Sequence, residues 1–452
     1  MRALLLILIG GGLIWLLIQG LGPSLAKDSS AEHSQGVLMS EEPSRTAPPE
    51  APAAAAPAPE PGPPPAAEPI QPAQTQAKPI EKAPEPVPVK ETAAPAPQPK
   101  PASVAEIDLS ARLVHDPEGF VEWLGGAKDD LGGARRSLAK ALALQLTGHA
   151  EESGSIVHEL EGSRDLAEDE RKLLDVWPQG PTFALPSASA GQGSLLLRAA
   201  GLASAERAGR DALGASRWAE AADAYSRLLQ GELRSPWECD AQRMGQWAEA
   251  LNRAQQGYRW SKKGAWPALE LKVGPGDSLI GIRKRALQEN ADLLTCTGLI
   301  ARANQLQGET IQPGQTLRVP TGKPHVLVDL SARWLLLLLD DEVIAAWPVG
   351  VGKPGSETPA GRYRVGEKSE NPTWFRAGQQ PVPAGDPRNP LGTRWIAWLT
   401  LEGEKTHLGF HGTRDPESIG QDESEGCVRM LNRHAEELYE ILPKASEIVV
   451  QP

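Results

Sequence analysis

The stretch HGTRDPESIGQDESEGCVRM, residues 411–430, decides how the last part of this 452-residue chain is interpreted. A histidine follows an alternating apolar segment, and a cysteine preceded by glycine comes sixteen residues later. A thiol nucleophile needs a base to take its proton and amide donors to stabilise an oxyanion. The intervening loop is long enough to bring His411 to Cys427. The pattern predicts a thiol acyl-transfer site, with a buried cysteine and an unrelated histidine as the alternative.

Residues near the cysteine extend this prediction. Because Gly426 has no side chain, its N–H and that of Cys427 can approach a substrate carbonyl. Arg429 could hold a substrate carboxylate or brace the loop. His407 and His411 lack an acidic partner, so we expect no zinc site here.

The segments flanking this stretch have the period-two alternation of β-strands. We expect a mostly-β domain over residues 324–452, with one helix near residues 431–442. The expected strands are 326–330, 334–339, 343–349, 362–365, 395–399, 406–410 and 447–450. Gly350 to Gly355 also spells G-x-G-x-x-G, but Pro354 and Pro359 forbid the helix that a dinucleotide site requires.

Residues 325–450 resemble the YkuD family of L,D-transpeptidases. The matching pieces, in family order, are residues 348–353, 358–361, Gly392, 411–413, 419–420, Ser424 and 426–430. The resemblance implies that Cys427 is the nucleophile and His411 the general base, with the Gly412 carbonyl orienting the imidazole. It further implies an oxyanion site at the amides of Gly426 and Cys427. Substrate contacts are expected from Thr413, Ser424 and Arg429.

The reaction implied by the resemblance is acyl transfer on peptidoglycan, without a metal or an organic cofactor. Cys427 would attack a tetrapeptide stem at its third residue and release D-alanine, and an amine of a neighbouring stem would complete a 3→3 crosslink. Water or a D-amino acid as acceptor would give a carboxypeptidase or an exchange enzyme, and a non-catalytic peptidoglycan tether is a further alternative. A papain-like hydrolase is disfavoured because its cysteine precedes its histidine. Glu425 stands where many family members have histidine or lysine, and its charge should raise the pKa of the thiol.

Residues 268–321 form a second, smaller pattern. Leu271 and Val273 alternate as in a strand, and Asp277 or Ser278 can cap a helix that begins at Leu279. A second helix should end near residue 304, and residues 316–319 read as a final strand. This βααβ order resembles the LysM domain, which implies binding of N-acetylglucosamine-containing glycans. The glycan-binding candidates are Gly276, Asp277, Ser278 and Asn304.

Residues 104–260 have helical periodicity, and we expect an all-α region. Residues 216–225 resemble the second helix of a tetratricopeptide repeat, but three clear repeats are not found, and a small bundle is the alternative. A protein partner could bind this region. The sequence leaves open whether Cys239 and Cys296 pair.

The N-terminal 103 residues predict export. Residues 3–22 are uncharged and long enough, at ~30 Å as a helix, to span a bilayer, so residues 1–26 are a membrane anchor or a signal peptide. Residues 27–103 read as a disordered Pro/Ala-rich linker, with 20 prolines between positions 43 and 101. The expected location is the bacterial cell envelope, with the catalytic domain outside the cytoplasm, or secretion if the segment is cleaved.

Composition excludes other classes. The formal net charge is -12, and nucleic acid binding requires clustered basic residues that this chain lacks. Three cysteines exclude a disulfide framework.

Together, the segments described above predict a multidomain fold: a transmembrane helix, a disordered linker, an all-α region, a small βααβ domain and a mostly-β domain.

Overall fold

The computed structural model describes residues 8–9, 12–13, 102–126, 132–177, 194–376 and 380–452. In the N-terminal unit, Met1–Thr92, these are two short antiparallel strands, β1 (Leu8–Ile9) and β2 (Gly12–Leu13). At those positions the structure has strands where the sequence predicted a helix, and the three glycines at 10–12 have low helix propensity. The rest of the predicted anchor, and the linker up to residue 101, lie outside the described residues. In the ranges that are described, no helix is both long and apolar enough to span a membrane.

The second unit, Ala93–Pro452, begins with helices. These are α1 (Val104–His115), α2 (Pro117–Gly126), α3 (Gly133–Leu146), α4 (Ala150–Leu160), α5 (Glu168–Asp175), α6 (Leu195–Gly214), α7 (Trp218–Leu233) and α8 (Ala241–Tyr258). Leu138, Leu142 and Leu146, which recur every four residues, lie on α3 and are buried. Helix α7 packs between α6 and α8. The helical region fits the predicted all-α class.

The βααβ pattern folds in the expected order. Its elements are β3 (Ala268–Lys272), α9 (Leu279–Glu289), α10 (Thr297–Ala303) and β4 (Thr316–Pro320). The two strands pair antiparallel. The Ser278 hydroxyl accepts a hydrogen bond from the Gly281 amide at 3.2 Å and so caps α9, the role that Ser and Asp commonly have at a helix start.

The remaining elements form the mostly-β domain. They are β5 (Pro324–Asp329), β6 (Trp334–Leu339), β7 (Glu342–Pro348), β8 (Val351–Gly352), β9 (Gly361–Glu370), β10 (Arg394–Leu399), β11 (Lys405–His411), β12 (Asp422–Ser424), β13 (Val428–Arg429), α11 (Asn432–Ile441) and β14 (Glu447–Gln451). In the described part of the chain, eight strands form one sheet in the order β13-β11-β10-β9-β14-β5-β6-β7. Strands β8 and β12 form a separate parallel pair beside it.

Strand β6 explains the continuous apolar run in the sequence. All six of its residues are buried. Trp334, Leu336 and Leu338 belong to the hydrophobic core of the helical region, whereas the alternate residues 335, 337 and 339 belong to the core that contains α11. A strand covered on both faces needs apolar side chains at every position. The sheet therefore lies between the helical region and the core next to the candidate site.

Candidate active site

The register of two strands places the cysteine next to the strand that ends in the histidine. Strands β11 and β13 run parallel, with Phe410 opposite Val428 and His411 opposite Arg429. Cys427 directly precedes β13, and its Sγ lies 3.6 Å from the His407 carbonyl oxygen. The structure thus brings Cys427 alongside residues 407–409 of β11, the strand that ends at His411.

His411 is buried and held in one orientation. Its Nδ1 lies 2.6 Å from the Gly412 carbonyl oxygen. A carbonyl can only accept, so Nδ1 carries the proton and Nε2 keeps its lone pair. The Trp395 ring stacks on the imidazole with a centroid distance of 6.0 Å and an angle of 25°. The geometry therefore presents the tautomer that a general base requires.

Burial sets the charge of this histidine. The pKa of His411 is lowered to about 4, chiefly because burial disfavours the imidazolium; the Gly412 hydrogen bond opposes this effect and the Arg429 charge adds to it. The imidazole is therefore neutral at neutral pH.

Burial also keeps the thiol protonated. The pKa of Cys427 is raised to about 11, first by burial, while the Gly409 amide and the Arg429 charge oppose the rise. The charge of Glu425 raises the pKa as expected from the sequence, but it is a smaller cause than burial. Thiol and imidazole are thus both uncharged at neutral pH, and the sulfur would have to lose its proton to act as a nucleophile.

The turn before Cys427 is built by Ser424 and Gly426. The buried Ser424 hydroxyl donates to the Cys427 carbonyl at 2.5 Å and accepts from the Gly426 amide at 3.1 Å. Gly426 has a φ of 106°, which favours glycine. An oxyanion at the Gly426 amide would have to replace the Ser424 hydroxyl as acceptor. Both hydrogen bonds of Ser424 stay inside the loop, whereas the sequence predicted a substrate contact.

Asn432 connects the segments on both sides of the histidine. Its Oδ1 accepts from the amides of Thr393, at 3.2 Å, and Thr413, at 3.1 Å. A Cβ atom on Gly392 or Gly412 would lie 2.1 Å from the same oxygen, so both glycines permit this close packing. Thr413 is itself buried, and its hydroxyl bonds the backbone of residue 415.

Sequence reasoning missed Asn432 and Trp395. The available signal for Asn432 was a short polar side chain at the start of the predicted helix, a position where such residues commonly bind backbone amides. Trp395 lay within a predicted strand, but its partner on the neighbouring strand could be identified only from the register, in which it pairs with His411.

Two charged side chains, Arg429 and Glu425, act on the Cys427 thiol. Arg429 donates to the Glu423 carbonyl at 3.3 Å, which corresponds to the bracing role of the two that the sequence left open. Glu425 forms a half-exposed ion pair with Arg376 at 3.3 Å. Arg376 begins a loop rich in proline and glycine whose buried Asn389 donates to the carbonyl of Pro372 at 2.9 Å. Residues 377–379 of this loop lie outside the described residues.

The predicted glycan-binding residues lie at two places in the βααβ domain. Gly276 and Ser278 are exposed in the turn before α9. The Asp277 carboxylate accepts from the Gly274 amide and from Arg285, each at 2.8 Å. The Asn304 side chain bonds the backbone of Ile300 and Arg318, so its polar atoms link α10 to β4.

The three cysteines form no disulfide, and the described residues contain no cluster that could bind a metal ion. Cys239, Cys296 and Cys427 are all free thiols, so Cys239 and Cys296 do not pair. Within the described ranges, no group of three or more His, Cys, Asp or Glu residues has the geometry to hold a metal ion.

Comparison with known proteins assigns both C-terminal regions. Residues 323–450 match the model of the YkuD family, the L,D-transpeptidase catalytic domain, and residues 271–320 match that of the LysM domain. These two families indicate a cell-envelope protein that acts on peptidoglycan.

Three curated relatives are named as L,D-transpeptidases. YqjB of Bacillus subtilis is 34% identical over 129 residues, which cover 28% of this chain and 72% of that protein. YkuD of Bacillus licheniformis is 31% identical over 191 residues, covering 41% of this chain and 99% of the relative. YkuD of Bacillus subtilis is 30% identical over 189 residues, covering 40% and 98%. The chain belongs to the L,D-transpeptidase family.

Proposed function

We propose that this protein is a peptidoglycan L,D-transpeptidase that forms 3→3 crosslinks through an acyl-enzyme on Cys427. One observation carries the proposal: His411 is neutral, its Nδ1 proton is bound by the Gly412 carbonyl, and it ends the strand beside Cys427. A base in this tautomer can take a proton only through Nε2.

The neutral pair determines the order of proton transfers. As Sγ bonds to the carbonyl carbon of the third stem residue, the thiol proton passes to Nε2 of His411. The imidazolium then protonates the amine of the leaving D-alanine, which leaves a thioester and a neutral imidazole. An acceptor amine next loses its proton to Nε2 as it attacks the thioester. That proton returns to Sγ when the crosslinked product departs.

Other side chains have positioning roles in this scheme. The amides of Gly426 and Cys427 would stabilise the oxyanion, with the Ser424 hydroxyl giving way at the first of them. Thr413, Ser424 and Arg429 would act on the substrate through the loop that they brace. Near the turn before α9, Gly276 and Ser278 would contact N-acetylglucosamine, while Asp277 and Asn304 shape the glycan site.

We further propose that residues 1–26 direct export, as a membrane anchor or as a cleaved signal peptide, and that residues 27–103 form a linker. The catalytic domain then lies outside the cytoplasm, where stem peptides are found. A protein partner would bind a surface of the helical region that is not already packed against the sheet.

Mass spectrometry of residues 102–452 with tetrapeptide-stem muropeptides tests the proposed reaction. We expect loss of D-alanine together with dimer formation, and neither in Cys427→Ala. Cys239→Ala is the matched control, because it removes a thiol from outside the site and should retain turnover. A carbapenem should add its mass to Cys427 in the same protein.

The outcomes separate the alternatives. Release of D-alanine without dimers would identify a carboxypeptidase, and incorporation of an added D-amino acid would identify an exchange enzyme. Binding to sacculi with no Cys427-dependent reaction and no carbapenem adduct would reject catalysis and favour a tether.

A further inference from the structure

The LysM domain and the catalytic domain share one hydrophobic core. Leu299 and Ala303 of α10 are buried in the same cluster as Ala435, Leu438 and Ile441 of α11. The rest of the LysM core, including Ile282, Ile300 and Leu317, is a separate cluster. Helix α10 therefore has one face toward its own domain and another toward the catalytic domain.

The two helices approach so closely that the contact requires glycine. A Cβ atom on Gly298 would lie 2.2 Å from the Glu440 carbonyl oxygen, well inside any real contact. The Cys296 thiol donates to the same carbonyl at 3.1 Å. Such packing fixes the start of α10 against the end of α11 and leaves little room for sliding.

An ion pair fixes the other end of α10. Arg302 pairs with Glu437 of α11, and both side chains are about three-quarters buried. The same guanidinium lies 4.6 Å from the ring centroid of Trp260, which follows α8. One side chain thus joins the LysM domain, the catalytic domain and the segment after the helical region.

That segment, residues 259–266, contacts both the LysM domain and the catalytic domain. Arg259 pairs with Glu342 at the start of β7, and the Trp260 ring packs edge-on against Trp266, with ring centroids 4.8 Å apart. Gln305 of the LysM domain donates to the Trp260 carbonyl, and Arg318 donates to that of Gly264. The LysM domain therefore contacts both α11 and the 259–266 segment, whereas a domain on a flexible tether would lack such contacts.

We propose that the LysM domain holds Cys427 at one fixed distance and orientation from the glycan strand it binds, so that the enzyme acts preferentially on stems carried by polymerised glycan. This inference rests on the proposed transpeptidase function. A flexible tether would only raise the local concentration of every nearby stem. A rigid joint instead selects the stems whose position on the strand matches the geometry of the protein.

The test compares two glycine substitutions in the LysM domain of the 102–452 protein. Gly298→Ala places a methyl group into the Glu440 carbonyl, whereas Gly281→Ala on α9 meets only an ordinary contact of 3.5 Å with the Ser278 hydroxyl. Turnover is measured on intact sacculi and on soluble disaccharide-tetrapeptides, and binding is measured by sedimentation with sacculi. We expect Gly298→Ala to lower the ratio of sacculus to soluble turnover about fivefold, with binding and soluble turnover kept. Gly281→Ala should leave the ratio unchanged.

Arg302→Gln provides a second route to the same result. It removes the charge that pairs with Glu437 and adds no bulk. This variant therefore replaces Gly298→Ala in the test if Gly298→Ala loses sacculus binding or melts at a lower temperature. We expect a smaller decrease in the same ratio, about twofold. An unchanged ratio in a folded, sacculus-binding variant would overturn the fixed-geometry inference alone. Absence of Cys427-dependent turnover on soluble stems in the unsubstituted protein would instead reject the proposed function, and this inference with it.

Discussion

At the scale of single residues, the site differs from a cysteine protease in its resting charge. Burial raises the pKa of Cys427 to about 11 and lowers that of His411 to about 4, so neither group is ionised at neutral pH. A preformed thiolate–imidazolium pair would require both shifts to have the opposite sign. In the proposed reaction the Cys427 thiol would therefore lose its proton to Nε2 of His411 only during attack on the substrate.

This charge state predicts how iodoacetamide reacts with Cys427. Only the thiolate reacts, and below a pKa of about 11 its fraction rises about tenfold with each pH unit. We expect the alkylation rate, followed by peptide mass spectrometry, to rise about 100-fold between about pH 7 and about pH 9. A rate independent of pH over this range would show that a thiolate already exists at neutral pH.

Asn432 should act as a positioning residue for His411. Asn432→Ala removes the acceptor of two loop amides, and an unsatisfied buried donor costs about 1–3 kcal/mol. We expect carbapenem acylation of Cys427 to slow at least about tenfold in Asn432→Ala, because the segment that holds the Gly412 carbonyl loses its support. Asn432→Asp keeps an acceptor oxygen and should restore most of the rate. Equal loss in both variants would argue for a general packing defect instead.

The sequence predicted the chemical groups of the site better than their supports. His411 and Cys427 stand out because a strand-ending histidine and a glycine-preceded cysteine at this spacing are typical of thiol chemistry. Asn432 and Trp395 act through contacts with residues at least 16 positions away, and no local pattern encodes such contacts. The sequence also could not predict what the hydroxyls of Ser424 and Thr413 bind, because the residue type does not tell whether a hydroxyl bonds backbone or substrate.

At the scale of elements, the helical region completes the sheet. Strand β7 is the last strand of the sheet order, and its edge faces α7 and α8. The Val343 amide donates to the Ser226 hydroxyl at 2.8 Å, and its carbonyl accepts from Gln255 at 3.1 Å. Two helix side chains thus supply hydrogen bonds that a further strand would otherwise make, which protects the edge from other chains.

Ser226→Ala should destabilise the protein measurably. The substitution leaves the buried Val343 amide without its side-chain acceptor, and we expect the free energy of unfolding to fall by about 1–3 kcal/mol. Ser155→Ala is the matched control, because that hydroxyl bonds the Glu151 carbonyl on an exposed helix surface. Urea denaturation of both variants gives the comparison, and equal midpoints would contradict the edge-capping role.

Element types followed from the sequence, whereas several ends and pairings did not. A continuous apolar run located β6, a capping residue located the start of α9 at Leu279, and the helix predicted at 431–442 agrees with α11 to within one residue at each end. Strand β9 extends five residues beyond its predicted end, to Glu370, through a polar stretch that pairs with β10. Strands β8, β12 and β13 were not predicted, because two or three residues are too few to establish a period.

At the scale of the whole molecule, the catalytic domain depends on its neighbours. Alternate residues of β6 are buried in the core of the helical region, and Leu299 of the LysM domain is buried in the catalytic core. A fragment limited to residues 321–452 would expose Trp334, Leu336 and Leu338 on one sheet face. Exposed apolar patches and open sheet edges promote association.

We therefore expect the 321–452 fragment to aggregate or to melt well below the 102–452 protein. Size-exclusion chromatography and thermal denaturation of both forms test this expectation. A monomeric fragment with an unchanged melting temperature would show that the helical region contributes nothing to the stability of the sheet.

Strand β14 also has a consequence for biosynthesis. Residues 447–451 pair with β5 on one side and with β9 on the other, in the middle of the sheet. Until these residues leave the ribosome, β5 and β9 have no strand between them, and the sheet cannot close. Pairing across more than 100 positions is slow to form. A chain that receives its central strand after both neighbours stays unfolded for longer, and the export proposed above would benefit from a chain that has not yet folded.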